Sequence, residues 1–432
     1  MPSQLIHMPK HEKQFAVLCL FDYMATTGFA TVSTNIIAEM KRRFKTQMML
    51  DIVAINLFAE KPIWEDETTQ VIPIHPNEKI NDPFGRHTFL RLLNFGDYDG
   101  IFIIQDPGTA VGMMPNLVEV AANRRKAHKK AFKSLFYFPI DSVPLDIFFN
   151  KNRDYNLDFF DRLVTYTEYG RREILKKAPW LQGKLWVIPH GINPKHFYPM
   201  ETPDIEAFRA SYFGPHAGKT IITNVNRNQF RKDIPCCMLA LRQMMQDNPQ
   251  MKGRLFLYLH MHPCDHMGWD LIQVGEQLGL VLGEDYGFPA EEEYNAGASI
   301  DKMRSIYNAS NWYLTTTTGE GWGLGVTEAM ACCLQVIGPN HTSLSEIGDG
   351  GRRMHMLNEF YPYCDRWDSV IREQCSYWEV ADLLAKLLAP RSDDQMAERF
   401  KIIGNAQEYV ETLFWPSICD KWAMLFRELF IP

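Results

Sequence analysis

The chain has no CxxC pair. Its nine cysteines are odd in number and scattered from Cys19 to Cys419, which argues against a disulfide-knit scaffold and fits reduced thiols in a cytosol. Positive charge is not in excess: 45 Lys and Arg stand against 52 Asp and Glu, a net charge of −7, so nucleic acid held by bulk electrostatics is not the expected partner. No stretch approaches the roughly 18 consecutive apolar residues of a membrane span. The most apolar candidate, Leu135–Phe149, is interrupted by Asp141, Asp146 and two prolines, and no span is expected. The start, MPSQLIHMPKHEKQ, lacks the basic-then-apolar pattern of a secretory leader, so a cytoplasmic location is expected. What is plentiful is apolar mass, at 46% hydrophobic and 12% aromatic, which excludes wholesale disorder. At roughly 100–200 residues per domain, the length predicts two or three domains.

Short apolar runs recur at Phe15–Phe21, Leu50–Ile55, Ile101–Ile104, Leu135–Phe138, Leu163–Tyr166 and Leu185–Ile188. Helix-like segments lie between most of them; Val32, Ile36, Ile37, Met40 and Phe44, for example, share one face. Strands alternating with helices imply a parallel sheet covered on both sides. A stretch rich in Pro and Gly, Pro189–Gly218, then intervenes, after which strands are expected at Thr220–Val225, Leu255–Leu259, Asn311–Leu314 and Gln335–Gly338. The expectation is two open α/β sheets whose strand ends share a crevice.

The strongest local signal is TTTTGEGWGLGVTEAMACCLQVIGPN, residues 315–340. An apolar strand feeds a loop with Gly319, Gly321, Gly323 and Gly325, and the loop opens a helix near Val326. Glycines admit close backbone approach, and a helix N-terminus presents unpaired N–H groups, a phosphate-binding arrangement. Glu320 at the strand exit is placed to receive sugar hydroxyls. Glu328, expected in the first helical turn, is placed to bind ribose hydroxyls; the bland alternatives are a loop charge and a first-turn helix carboxylate. In ITNVNRNQFRKDIP, residues 222–235, Arg227 follows a strand and Lys232 precedes a helix. Two cations at that edge suit a diphosphate leaving group, with surface cations as the alternative. LHMHPCDH, residues 259–266, holds metal-ligand types in His260, His262, Cys264 and His266, but without a partner cluster no metal is assigned. The basic run Arg124–Lys133 reads as a solvated helix face or an anion-attracting patch.

GEGWGLGVTEAMACCLQVIGPN resembles the Glu-x7-Glu motif of family 4 retaining glycosyltransferases, and Arg227 with Lys232 is similar to that family's Arg-x4-Lys pair. WVIPHGINPKHF (186–197), VTYTEYGRREIL (164–175) and Tyr307–Ser310 resemble flanking segments of the same family in the same order. The resemblance implies a GT-B fold, two Rossmann-like domains facing across a cleft. It assigns residues 1–190 to an acceptor-side domain and 191–415 to a donor domain, with a helix at 416–432 crossing back to the first. It further implies that Arg227 and Lys232 meet the donor diphosphate, that Glu320 with the backbone of Gly321, Trp322, Gly323 and Leu324 holds the sugar and phosphate, and that Glu328 binds ribose. No metal or other cofactor is implied beyond the nucleoside diphosphate sugar donor. Two departures stand out: the first βα loop, DYMATTGFA, has Gly28 alone where the family often has two glycines, and Asp141 stands near the place of a sugar-contacting histidine. Asp141 is placed either to serve sugar hydroxyls or positive charge at the anomeric carbon, or to cap a turn.

The expected function is transfer of a sugar, with retention, to an acceptor: a glycan, lipid carrier, protein, metabolite or modified nucleic acid. Alternatives are a silent nucleotide-sugar or glycan-binding protein, a GT-B epimerase and a phosphorylase. A dehydrogenase is disfavoured because the first loop lacks GxGxxG.

Overall fold

The computed structural model describes residues 14–143, 145, 157–365, 369–390 and 392–431. The segment read above for a leader lies mostly outside them, as does most of the second half of Leu135–Phe149.

The first lobe is an eight-stranded sheet ordered β3-β4-β2-β1-β5-β6-β7-β8. Its strands are β1 (Phe15–Asp22), β2 (Met48–Phe58), β3 (Ile63–Asp66), β4 (Thr69–Ile74), β5 (Gly100–Ile104), β6 (Lys133–Phe138), β7 (Arg162–Thr165) and β8 (Leu185–Val187). All pairings are parallel except that of β3 with β4. The second lobe has six parallel strands in the order β11-β10-β9-β12-β13-β14. They span β9 (Thr220–Val225), β10 (Leu255–His260), β11 (Tyr286–Gly287), β12 (Trp312–Leu314), β13 (Val336–Pro339) and β14 (His355–Leu357). A hairpin of β15 (Phe360–Cys364) and β16 (Ile371–Cys375) follows. Strand order reverses between β1 and β5 in one sheet and between β9 and β12 in the other, which sets a crevice at the carboxyl ends of each.

Every strand expected from an apolar run is present within two or three residues at its ends. The additional ones carry weak signals: β3 is exposed along its length, β4 contains Pro73, and β11 and β14 have two and three residues. The helix Gly28–Phe44 buries Val32, Ile36, Ile37, Met40 and Phe44, the face read from its periodicity. In the basic run Arg125, Lys126, Lys130 and Lys133 are exposed, and Arg124 departs from expectation. Arg124 is buried, and its guanidinium donates to the carbonyls of Leu93, Gly96, Tyr98 and Lys130, closing four backbone acceptors at the end of the helix Arg86–Phe95 and in neighbouring loops.

The chain passes between lobes twice, and the two passages pair. Ile192 N–H donates to Leu413 O at 2.8 Å and Trp415 N–H to Ile192 O at 3.2 Å. A side chain at Gly191 would overlap the Trp415 indole, so glycine is required there. The helix break falls at Leu413–Phe414, and Pro416 sits in the first turn of the helix Trp415–Phe430. That helix lies on the first lobe: Trp422 packs on Phe102 and Tyr137, and Phe426 on Phe44 and Phe102. No helix among the described residues is long and apolar enough to cross a membrane.

Candidate functional site

In the second lobe the chain leaves β9, makes a short turn at Phe230–Lys232 and enters the helix Ile234–Asp247 through Asp233, whose φ is +45°. That left-handed residue lets a tight turn carry two adjacent cations to the strand ends. The threonine run after β12 fastens the turn in place. Thr318 N–H and both the Thr317 and Thr318 hydroxyls donate to Arg231 O, and the Thr316 hydroxyl donates to Asp233 O. All four threonines are buried. The cationic turn and the motif loop are thereby one rigid unit.

Glu320, 7% exposed, is the centre of that unit. Lys232 Nζ donates to its Oε1, and Arg231 lies 3.5 Å from its Oε2 while donating to Gly319 O at 2.8 Å. Burial alone would push the Glu320 carboxyl up, but Lys232 and Arg231 together hold it below the usual carboxylate range. Burial brings the Lys232 ammonium down to about 8, only partly opposed by Glu320. The motif loop then reaches Gly323, at φ +103°, which starts the helix Leu324–Ala331. The helix begins two residues earlier than expected, so Glu328 stands in its second turn, not its first. Glu328 accepts from the Tyr307 hydroxyl at 2.8 Å, and burial raises its carboxyl to about 7.

Arg227 is not beside Lys232. Its side chain is 59% exposed and donates to Asp265 at 3.0 Å, and Arg231 takes the neighbouring place instead. A second unforeseen cation arrives from the hairpin: Arg372 on β16 donates to Asp141 O at 3.2 Å and lies 3.1 Å from Asp365.

The first lobe presents the ends of four adjacent strands. Asp22 closes β1, Asp106 follows β5, Asp141 follows β6 and Tyr166 follows β7. Asp141 faces the cations, 3.8 Å from both Arg231 and Arg372. Crowding by protein, the charge of Asp141 and that of Asp22 raise the Asp106 carboxyl to about 6 against the pull of Arg231. His190, 4% exposed at the passage between lobes, bonds the Tyr137 hydroxyl through Nδ1 at 2.8 Å and packs on Tyr166 and Trp322. Burial lowers it to about 3, so it is a neutral structural ring at physiological pH.

The motif glycines answer to this wall as well as to any ligand. A side chain at Gly319 would overlap Asp141 O, and one at Gly321 would overlap Pro139. Gly28 meets Leu324 across the same seam, with 3.1 Å between a Cβ there and the leucine methyl. Trp322 is 4% exposed, and its carbonyl accepts from the Ser343 hydroxyl at 2.9 Å. Further along the seam, Glu346 accepts from Tyr169 N–H at 2.7 Å, at the start of the helix Glu168–Lys177. The lobes are therefore closed on one another.

The structure brings together Lys232, Glu320, Asp141 and the Gly319–Leu324 loop, with Glu328 in the second turn of the helix that the loop opens. Arg231, Arg372, Asp106 and Tyr166 escaped sequence reasoning. Arg231 adjoins Lys232 in sequence; the other three depend on folding to reach the seam. Among the described residues no group of three or more His, Cys, Asp or Glu side chains is placed to hold a metal ion. His260 bonds the Tyr258 hydroxyl, and His262 accepts from Cys264 N–H. A cavity of about 420 Å³ lies at the other end of the second sheet, lined by Thr220, Asn311, Trp312 and Arg399, away from these carboxylates.

This architecture is the GT-B fold. The solved sucrose-phosphate synthase of Thermosynechococcus elongatus superposes with a TM-score of 0.67 at 17% identity, covering 96% of this chain and 99% of that one. An Anabaena protein, HepE, solved with UDP and glucose, superposes with a TM-score of 0.65 at 14% identity over 96% of this chain and 100% of its own. In sequence, a probable sucrose-phosphate synthase of Thermosipho melanesiensis is 26% identical over 195 residues, 44% of this chain. A probable α,α-trehalose-phosphate synthase (UDP-forming) of Arabidopsis thaliana is 22% identical over 149 residues, 33% of this chain. The matched stretches span 40% and 17% of those two relatives. No family model matches the chain.

Proposed function

We propose that the protein is a glycosyltransferase that moves a sugar from a nucleoside diphosphate sugar to a hydroxyl acceptor with retention of anomeric configuration. The observation that carries the proposal is the threonine-fastened unit in which Lys232 and Arg231 meet Glu320 beside the N-terminus of the Leu324–Ala331 helix. Separating a diphosphate from an anomeric carbon develops negative charge on the leaving group, and preorganised cations and amides stabilise it. UDP, present in the Anabaena structure and the product of a relative described as UDP-forming, supports a uridine donor.

In this reading Lys232 and Arg231 turn toward the diphosphate as the donor enters, and Glu320 exchanges its cations for sugar hydroxyls. The backbone of Gly321, Trp322, Gly323 and Leu324 lines the sugar and phosphate, and Glu328 takes the ribose. Arg227 joins the phosphates by leaving Asp265, an exposed pairing that costs little to break. Asp141 then faces the anomeric centre from the first lobe. Side-chain cations serve the leaving group in place of a resident metal, so chelation by EDTA should leave the rate unchanged. Retention rests on the resemblance of residues 315–340 to the Glu-x7-Glu motif. The deciding experiment is UDP release from UDP-glucose across an acceptor panel, with the product's anomeric configuration read by proton NMR. An inverted product overturns retention, and no UDP binding overturns the donor assignment.

A further inference from the structure

Resting on that reading, we infer that the acceptor is an uncharged, hydroxyl-rich sugar held by Asp106 and Tyr166, and that the charge of Asp106 selects it over a phosphorylated one. The strands β1, β5, β6 and β7 lie side by side, and their carboxyl ends deliver Asp22, Asp106, Asp141 and Tyr166 to one wall opposite the motif loop. Asp22 is occupied: it accepts from the Thr27 hydroxyl and from Asn56 Nδ2 at 3.0 Å, and Asn56 is held at φ +62°. Asp141 is occupied by Arg231 and Arg372. Asp106 is different. It precedes the helix Pro107–Lys126 without capping it, and its carboxylate has no hydrogen bond or ion pair among the described residues; the residue is exposed although protein crowds its carboxyl.

An independent observation points to a ligand at the same spot. Tyr166 is 3% exposed, and its hydroxyl has no hydrogen-bond partner among the described residues. The carboxylates whose charge reaches it are Asp106 and Asp141. Its ring lies 3.6 Å from where a Cβ on Gly321 would stand, so the ring borders the seam with the motif loop. A buried hydroxyl without a partner is costly, and a bound hydroxyl would supply one.

The chemistry of the wall then defines the guest. A carboxylate accepts and a phenol both donates and accepts, which suits sugar hydroxyls that do both. A phosphate offers only acceptors and brings like charge. The cations that could balance it are engaged: Arg231 by Gly319 O, Glu320 and Asp141, and Arg372 by Asp141 and Asp365.

The test is a titration of glucose, glucosamine and glucose 6-phosphate, with and without UDP, followed by saturation-transfer NMR. Glucose and glucosamine should bind, and glucose 6-phosphate should bind at least about tenfold more weakly, the scale of one like-charge contact in a partly desolvated site. Asp106→Asn should narrow that gap, and Tyr166→Phe should weaken glucose while leaving the gap unchanged; thermal unfolding checks that both variants fold. Glucose 6-phosphate binding as tightly as glucose, a gap unmoved by Asp106→Asn, or no binding by any of the three overturns the inference. Loss of UDP binding alone would instead count against the donor assignment, because the hexose series without nucleotide still reads the wall.

Discussion

On the second-lobe side of the seam, Lys232, Arg231 and Glu320 are matched with one another and fixed by buried threonine hydroxyls. On the first-lobe side, the Asp106 carboxylate and the Tyr166 hydroxyl have no partner among the described residues. A matched, fastened cluster is stable without ligand and must rearrange when an anion arrives. An unmatched wall gains its partners only when a ligand supplies them. On the proposed function, the contrast separates a face that would meet the leaving group from one whose bonds an incoming sugar would complete.

Lys232→Ala breaks the matched side most severely. Losing a charged contact to the leaving group should lower transfer by about two to three powers of ten. It should also leave Glu320 buried with Arg231 as its remaining cation, at a cost below the roughly 3–5 kcal/mol of a fully unpaired buried charge. Rates with UDP-glucose and urea unfolding of the same variant measure the two effects. Unchanged turnover would remove Lys232 from the chemistry.

Gly321→Ala attacks the seam itself. Its methyl would overlap Pro139, so the lobes must part or strain, at about 1–3 kcal/mol for an overpacked contact. Small-angle scattering should show a larger radius of gyration than for the parent. A radius identical to the parent's with full stability would mean that the closed seam does not persist in solution.

Arg227→Ala sharpens the difference between a buried, fastened cation and one in an exposed pair. Its exposed pairing with Asp265 should contribute less than about 1 kcal/mol to stability, yet transfer should fall by about tenfold if it joins the phosphates. Equal turnover in variant and parent would confine Arg227 to the surface.

Two pH profiles give the smallest effects. Lys232 loses its proton near pH 8, so transfer should decline as pH rises through that value. The unfolded chain holds that proton more tightly, so its loss does not destabilise the fold and the decline reports chemistry. Glu328 keeps its proton up to about 7 in the fold against 4.5 unfolded, so the stability that proton confers is complete below 4.5 and lost as pH rises through about 7. Glu328→Gln should flatten that slope in thermal unfolding; an unchanged slope would assign it to another group.

The central strands of both sheets were legible because an interior parallel strand is a short apolar run on any register. The edges were not: β3 is exposed and β4 carries a proline, features that ordinarily speak against a strand. Lys232 and Glu320 were legible as neighbours because each follows a strand beside the sheet's reversal point. Arg227 looked equivalent to Lys232 by spacing, yet a three-residue turn pinned by threonines put Arg231 beside Lys232 instead. Glu328 was misplaced by a turn because glycines at 323 and 325 obscure where a helix starts.

Apolar periodicity and glycine placement were enough to determine two wound sheets, the positions of their central strands along the chain and the loop between Glu320 and Glu328, since these depend on local chain geometry. Tertiary structure alone decided that Arg372 and Asp141 meet, that Gly319 and Gly321 are glycines because the opposite lobe presses on them, and that Asp106 and Tyr166 share a wall. Those relations join residues tens to hundreds of positions apart, and which distant groups come within a few ångströms is set by how the two sheets close on each other.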